Sequence, residues 1–323
     1  MKTGTPTETD VVEELQSSPE PISLDPEPKP RRVLVVGADG MLGSDVVVEF
    51  QKRGWSVTAP TLDELDLTEA MHLEHVRKRD FGNLDWIVNC AAYTAVDKAE
   101  DEFYQASAVN AIAPGALAYI CERNEWRFLH VSTDFVFDGE SDKPYTEQYV
   151  TSPQCKYGVT KLMGEKNALQ MHPSSVIART AWLYGPNGKS FPRTMIKAWL
   201  EGKDLKVVAD QTGSPTYTAE LARVMADMVA AEVDGGVYHT AGPDAMTWHE
   251  FACLAIETYR DSVRGEQGEV KIEAVTTEDW PTPAKRPKYS VLSSDKVQAL
   301  GIRAMRSTPS ALLDFCKRLP RVL

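Results

Sequence analysis

The stretch "RRVLVVGADGMLGSDVVVEFQKRG" at residues 31–54 constrains the fold of this chain more than any other segment. A short β-branched run leads directly into Gly37, Gly40 and Gly43, and apolar residues at helical spacing follow as far as Gly54. Such a strand–turn–helix unit needs glycine for the tight turn, for close backbone approach to a pyrophosphate, and for close packing of helix on sheet. The free N–H groups and the dipole at the helix start favour an anion. We therefore predict a dinucleotide site here, with a purely structural turn as the alternative.

Alternating strands and helices follow this unit. "DWIVNCAA", "WRFLHVSTDFVF" and "SSVIARTAWLYG" are continuous apolar runs, and "NAIAPGALAYICERNE" has helical spacing. Continuous apolar strands are typical of a parallel sheet that is covered on both faces. The pattern predicts a Rossmann-type doubly wound parallel sheet over residues 31–185. The less regular residues 186–323 are predicted to form mainly a smaller C-terminal α/β substrate lobe, with some segments returning to the sheet.

Residues 1–30 differ in composition from the rest of the chain. They are rich in Pro, Glu, Asp and Ser and poor in aromatic residues. Such a segment buries too little apolar area to offset its ordering entropy. We predict a disordered acidic tail.

Charge and composition exclude several classes of partner. The net charge of −12 gives the chain no general attraction to nucleic acid or to anionic membranes. No apolar run approaches the roughly 18 residues that span a bilayer, and no secretory signal is visible. The five cysteines are scattered and form no C-x-x-C pair, which is typical of reduced thiols in a cytoplasmic protein.

The identity of the dinucleotide depends on the end of the second predicted strand. NAD sites usually carry an acid about 20 residues after the glycines, where it binds the ribose 2′-hydroxyl. Here the strand ends in "TAPT", with neither acid nor arginine, and Asp63 and Asp66 come later. The missing acid removes a repulsion against a 2′-phosphate. The sequence therefore favours NADPH and leaves NADH open.

A candidate acid–base pair lies in "SPQCKYGVTK". Ser152-Pro153 is interpreted as a helix start, and the spacing of four then places Tyr157 and Lys161 on one helical face. A tyrosine needs a nearby cation to act near neutral pH, and we expect Lys161 to lower its pKa. A third polar group is expected at the end of the strand in "HVSTDFVFDG", which offers Ser132, Thr133 and Asp134. His130 in the same strand is interpreted as a core histidine.

These residues, taken in order, resemble the extended short-chain dehydrogenase/reductases, and specifically their dTDP-4-dehydrorhamnose reductase branch. The resemblance covers about residues 32–320. It rests on "GADGMLG", "LDLTE", "VNCAAYTAVDKAE", "VSTDFVFDG", "SPQCKYGVTKLMGE", "RTAWLYG", "DQTGSPTYTAELA" and "RPKYSVLSSDKV". It implies reduction of the C4 ketone of dTDP-4-dehydro-L-rhamnose by NADPH or NADH.

The resemblance also implies roles for individual residues. Thr133, Tyr157 and Lys161 would form the catalytic set. Thr133, Asp134 and Trp182 would contact the nucleotide-sugar. The cofactor would be bound by Gly37, Gly40, Met41, Leu42, Asp66, Leu67, Ala91, Ala92, Tyr93 and Thr94, together with Tyr157 and Lys161. From the basic stretch "KRPK" at 285–288 we predict, independently, that Arg286 contacts the diphosphate.

The sequence leaves alternatives to this substrate and this activity open. The family usually has tyrosine where this chain has Phe135, so a hydroxyl near the sugar is missing. Another nucleotide-4-keto-sugar reductase or an epimerase would share the Tyr-x-x-x-Lys pair. A regulatory subunit of methionine adenosyltransferase resembles the same branch and acts as a binding module. Family resemblance further implies a homodimer, in some cases with Mg²⁺ at the contact.

Overall fold

The computed structural model describes residues 30–77, 80–265 and 270–320. The predicted acidic tail lies outside these residues, apart from Pro30. The strands are β1 Arg32–Val36, β2 Ser56–Thr58, β3 Trp86–Asn89, β4 Arg127–Thr133, β5 Val176–Thr180, β6 Leu183–Tyr184, β7 Leu205–Val208, β8 Thr212–Gly213, β9 Thr216–Tyr217, β10 Gly236–His239, β11 Met246–Thr247 and β12 Ile272–Val275. The helices are α1 Met41–Lys52, α2 Ala70–Arg77, α3 Phe103–Ser107, α4 Ala113–Asn124, α5 Lys156–Met171, α6 Phe191–Leu200, α7 Thr218–Ala230, α8 Trp248–Tyr259, α9 Asp295–Gln298 and α10 Thr308–Arg318.

The central sheet has six strands in the order β10-β5-β4-β3-β1-β2. Every neighbouring pair in it is parallel. The chain runs outward from β1 to β2 and then returns through β3 to β4 and β5. The predicted Rossmann-type parallel sheet is confirmed, and the reversal beside β1 is where ligands of such sheets bind.

Alternating side chains of β1 reach two separate cores. Val33 and Val35 pack with apolar residues of α1 and α7 on one face. Leu34 and Val36 pack with α4 and α5 on the other face. Successive side chains of a strand point to opposite faces of the sheet, so a strand whose side chains are apolar on both faces must be covered on both. The sheet therefore lies between two layers of helices.

The second half of the chain contributes to both the sheet and a smaller apolar cluster. β10 pairs with β5, and α7 packs against α1. Tyr184, Tyr217, Phe251 and Phe315 lie in a separate core formed by segments from β6 to α10. Residues from Arg31 onward cluster as one compact unit, so the division at residue 185 stays a prediction. No helix in the described ranges is long and apolar enough to cross a membrane.

Candidate active site

The glycine turn between β1 and α1 has no room for a side chain at two of its glycines. Gly37 has a φ of +74°, and a Cβ there would lie 2.7 Å from the amide nitrogen of Ala91. A Cβ on Gly43 would lie 2.0 Å from the carbonyl oxygen of Gly37. The helix start that follows, at Met41 and Leu42, carries neither a side-chain cap nor an acidic residue in its first turn. This bare cradle fits a dinucleotide pyrophosphate, which the first-turn N–H groups would bind.

The segment after β3 forms the opposite wall of this cradle. Ala91 donates its N–H to Asn89 Oδ1 at 3.0 Å, and the Asn110 side chain bonds both backbone groups of Tyr93. Ala92, half-buried, and Thr94, exposed, belong to the same loop. The structure therefore brings the predicted cofactor loop beside the glycine turn.

A carboxylate lies near the tip of β2, where the sequence showed none. Glu64 Oε2 accepts the backbone N–H of Thr61 at 2.8 Å and its hydroxyl at 3.2 Å. Asp66 instead accepts bonds from Thr68, which lower the pKa of its carboxyl. Leu67 is buried with the α4 side of the core, so any contact with adenine would come from its backbone.

Thr133 and Asp134 stand at the carboxyl end of β4. The Thr133 hydroxyl donates to Asp134 Oδ1 at 2.9 Å and accepts the N–H of Phe135 at 3.3 Å. Both side chains are buried. Burial raises the pKa of Asp134 to about 6, although the neighbouring Ser290 and Thr133 hydroxyls act in the opposite direction.

Tyr157 and Lys161 lie one turn apart on α5, but the helix starts later than predicted. It begins at Lys156, after an extended Cys155. The predicted start at Ser152-Pro153 is wrong because the N–H of Ser152 donates to the carbonyl of Val136, which keeps this segment extended. Tyr157 is therefore in the first turn of the helix, edge-on to the Phe135 ring at 5.5 Å.

The pKa of Tyr157 differs from the sequence expectation. Burial raises it above its usual range, and the nearby Thr133 hydroxyl offsets part of this rise. Lys161 bonds the carbonyl of Val131 at 2.6 Å instead of the tyrosine. The expectation that Lys161 lowers the tyrosine pKa is therefore corrected for this arrangement. Burial lowers the pKa of Lys161 itself to about 8, against the opposing effects of Glu165 and Cys90.

Two further predicted substrate residues have distinctive surroundings. Trp182, with a φ of +46°, stacks on Trp248 with ring centroids 3.4 Å apart. Arg286 pairs with Asp97 at 2.8 Å and lies over the Phe135 ring, 5.9 Å from its centroid. Because Phe135 also contacts Tyr157, Arg286 belongs to the same region as the acid–base residues.

Comparison with known proteins agrees with this geometry. The family model described as RmlD substrate binding domain matches residues 31–320. The chain belongs to this family. A dTDP-4-dehydrorhamnose reductase of Streptomyces griseus is 38% identical over 296 residues, covering 90% of this chain and 94% of that protein. A probable dTDP-4,6-dihydroxy-2-methyloxan-3-one 4-ketoreductase of Streptomyces antibioticus is 37% identical over 88% of this chain and 94% of its own length.

A solved structure of a family relative carries a cofactor. The dTDP-4-dehydrorhamnose reductase from Bacillus anthracis, in complex with NADP, superposes with a TM-score of 0.81 at 32% identity, covering 88% of this chain and 98% of that one. The resemblance stated from the sequence motifs is thus confirmed. In this RmlD-family chain, the glycine cradle and the loop after β3 are the residues that fit NAD(P)H.

Sequence reasoning missed a buried polar network behind the site. Glu165 accepts two bonds from Arg179, at 2.9 and 2.7 Å, and one from Ser132 at 2.5 Å. The sequence could have indicated Glu165, because it follows Lys161 by one helical turn and therefore lies on the same face of the helix. The sequence did not indicate Asn110 or Asp97, since the residues they bond lie in distant segments of the chain.

The metal expectation receives no support in this family member. Within the described part of the chain, no group of three or more His, Cys, Asp or Glu side chains is placed to hold a metal ion.

Proposed function

We propose that this chain reduces the C4 ketone of dTDP-4-dehydro-L-rhamnose to dTDP-L-rhamnose, with NADPH preferred and NADH accepted. The observation that carries the proposal is the proximity of the Thr133 hydroxyl to the buried Tyr157 phenol, at the carboxyl edge of a sheet with an uncapped glycine cradle. Membership of the RmlD family, and the name of its Streptomyces griseus relative, support this substrate over other ketones.

The two hydroxyl groups have distinct tasks in this mechanism. Bound NAD(P)H supplies the hydride that C4 accepts. Tyr157 is protonated at neutral pH, because the pKa of a tyrosine is ordinarily about 10 and burial raises it further, and it donates its proton to the C4 oxygen as general acid. Thr133 donates a hydrogen bond to the same oxygen and stabilises the charge that develops there, by about 2–4 kcal/mol if well aligned.

We propose that three further residues bind and orient the cofactor and the substrate: Lys161, Trp182 and Arg286. Lys161 holds the nicotinamide ribose. Arg286 binds the diphosphate, because a guanidinium donates two parallel hydrogen bonds to phosphate oxygens. Trp182 borders the nucleotide-sugar from its stack with Trp248.

The test is NADPH oxidation, followed at 340 nm with purified protein and enzymatically generated dTDP-4-dehydro-L-rhamnose. Steady multiple turnover is expected, with slower turnover on NADH. NADPH binding without turnover on this sugar would contradict the proposal.

A second candidate is reduction of a related nucleotide-4-keto-sugar. Phe135 places a ring without a hydroxyl beside Tyr157, and the Streptomyces antibioticus relative carries the name of a 4-ketoreductase for another sugar. The same assay with that sugar distinguishes the two by their kcat/KM values.

We also propose a homodimer in a reducing, cytoplasmic setting. Tyr104, Ile112 and Tyr119 are strongly exposed apolar or aromatic side chains on successive helical segments. All five cysteines are free. Sedimentation equilibrium with and without EDTA tests both the dimer and a role for Mg²⁺ in it.

A further inference from the structure

A chain of buried polar groups runs from the cofactor cradle to Lys161. Its members are Asn89 at the end of β3, His130 in the middle of β4 and Lys161 on α5, all of them at most 2% exposed. Asn89 and His130 are direct neighbours across the two strands. None of these contacts is explained by packing alone, because a buried polar group is costly unless it is hydrogen-bonded.

The chain has one consistent arrangement of protons. Asn89 Oδ1 accepts the N–H of Ala91, so the amide nitrogen of Asn89 faces His130 Nδ1, at 3.1 Å. An amide nitrogen only donates, so Nδ1 of the histidine must accept. The ring is neutral, since complete burial lowers the pKa of His130 well below its usual range. The ring proton is therefore on Nε2.

This proton points at the catalytic amine. His130 Nε2 lies 3.4 Å from Lys161 Nζ, while Nζ also donates to the carbonyl of Val131 at 2.6 Å. An ammonium group has three donors and no acceptor, so it cannot accept the Nε2–H. A neutral amine can accept it. The histidine thus favours the uncharged form of Lys161 in this position and opposes the charged one.

The other charged and titratable groups around Lys161 act differently. Glu165, on the same helix, favours the ammonium, but its carboxylate is shared with Arg179 of β5. Cys90, after β3, also favours the charged form. His130 differs from both. The N–H of Ala91 in the cofactor loop fixes the orientation of the Asn89 amide, and this amide fixes which ring nitrogen of His130 donates.

We propose that His130 is a positioning residue that sets the protonation of Lys161, with its tautomer fixed by Asn89 and the Ala91 N–H. The inference deepens the proposed function, on which its catalytic meaning rests. Its structural content does not depend on the sugar. When the loop at Ala91 contacts a ligand, the same chain links that contact to the charge of the lysine.

The test reads Lys161 directly, in the full-length protein without added cofactor or sugar. Lysine labelled with ¹³C at Cε is titrated by NMR, and the Lys161 signal is assigned by its loss in Lys161→Arg. The wild-type midpoint is expected near the value of about 8. His130→Phe keeps a buried ring but removes Nε2–H, and the midpoint is expected to rise by about one pH unit.

Two further variants complete the design. His130→Gln places an amide at the Nε2 position, whose carbonyl can accept from the ammonium, so a rise at least as large is expected. This variant also serves if His130→Phe does not fold. His172→Phe, a histidine paired with Glu122 at the far end of α5, is the matched control and should leave the midpoint unchanged. A midpoint in folded His130→Phe and His130→Gln equal to that of wild type would overturn the proposal.

The pH profile of turnover then separates the two claims. If the NMR midpoint rises and the basic limb of kcat rises with it, both the positioning of Lys161 and its catalytic role are supported. If the NMR midpoint rises and the kcat profile is unchanged, His130 still positions Lys161, and the catalytic assignment of the lysine is the claim that fails.

Discussion

Arg286 and Asp97, 189 residues apart in the sequence, form an ion pair with 2.8 Å between Nη2 and Oδ2. Asp97 Oδ1 also accepts the N–H of Ala284, which ties the segment before Arg286 to the loop after β3. The pair holds a guanidinium beside Phe135 and therefore beside Tyr157. A cation that is held in place before substrate arrives loses less conformational entropy on binding.

Arg286→Gln is expected to raise the KM for the nucleotide-sugar by about 10- to 100-fold, because a charge-assisted bond to phosphate is lost. The Kd for NADPH, measured by fluorescence, should stay within about twofold of wild type. Lys285→Gln removes the same charge from the adjacent, exposed residue and should change neither constant. Equal effects of the two substitutions would mean that only net charge matters.

Tyr157→Phe is expected to lower kcat by about 10²- to 10⁴-fold, because the proton donor to the C4 oxygen is lost. NADPH binding should largely persist, since the glycine cradle and the loop after β3 are unchanged. Tyr104→Phe, at an exposed position on α3, is the matched control and should retain full turnover. Near-normal kcat in Tyr157→Phe would reject the acid role.

The sequence predicted the elements of this site better than their contacts. Apolar periodicity and glycine placement depend on neighbours a few residues away, so the cradle after β1 and the one-turn spacing of Tyr157 and Lys161 could be read locally. The start of α5 could not, because it depends on Val136 and on Glu100, which accepts the N–H of Lys156.

Two electrostatic features of the site also differ from what the sequence predicted. The strand tip at Thr61 shows no acid in sequence order, but the turn that follows returns Glu64 to it. Lys161 was expected to lower the pKa of Tyr157, but its amine donates to a carbonyl of β4. The Lys161 contact follows from packing between segments, which residue spacing does not encode, whereas the Glu64 contact is a local turn over three residues.

Glu64→Gln is expected to raise the ratio of kcat/KM for NADPH to that for NADH by about fivefold. A carboxylate near the tip of β2 repels a 2′-phosphate, and one unit charge at about 4 Å in water is worth about 1 kcal/mol. Asp63→Asn makes the same charge change at an exposed neighbouring position and should alter the ratio less. A ratio that is unchanged in Glu64→Gln would place the 2′-phosphate elsewhere.

Gly158→Ala is expected to destabilise the protein by about 1–3 kcal/mol, although alanine is the better helix former. A Cβ at this position would lie 2.2 Å from the carbonyl oxygen of Phe135, so α5 must move away from the turn after β4. Because Tyr157 moves with the helix, kcat should fall as well. Gly115→Ala meets the Asn167 side chain at 3.0 Å, a softer neighbour, and should be tolerated better in urea unfolding.

Asp134 makes a contribution to stability that decreases as the pH rises. Burial raises its pKa from 3.8 to about 6, so between these values the folded protein binds more protons than the unfolded chain. Its share of the unfolding free energy is therefore fully present below pH 4 and is lost as the pH passes 6, by about 2–3 kcal/mol in total. Asp134→Asn should remove this dependence, so the stability difference between variant and wild type grows in favour of the variant from pH 4 to 7.

Asp138→Asn provides a control of opposite sign. A hydrogen bond from Tyr145 lowers the pKa of Asp138, so its contribution to stability is present above its unfolded pKa and is lost as the pH falls. Urea unfolding of wild type and Asp134→Asn at several pH values between 4 and 7 measures the first trend. Extending the series for wild type and Asp138→Asn below pH 4 measures the second. If Asp134→Asn and Asp138→Asn changed stability in parallel with pH, the raised pKa of the buried Asp134 would be refuted, and with it the view that Thr133 and Ser290 only partly compensate for its burial.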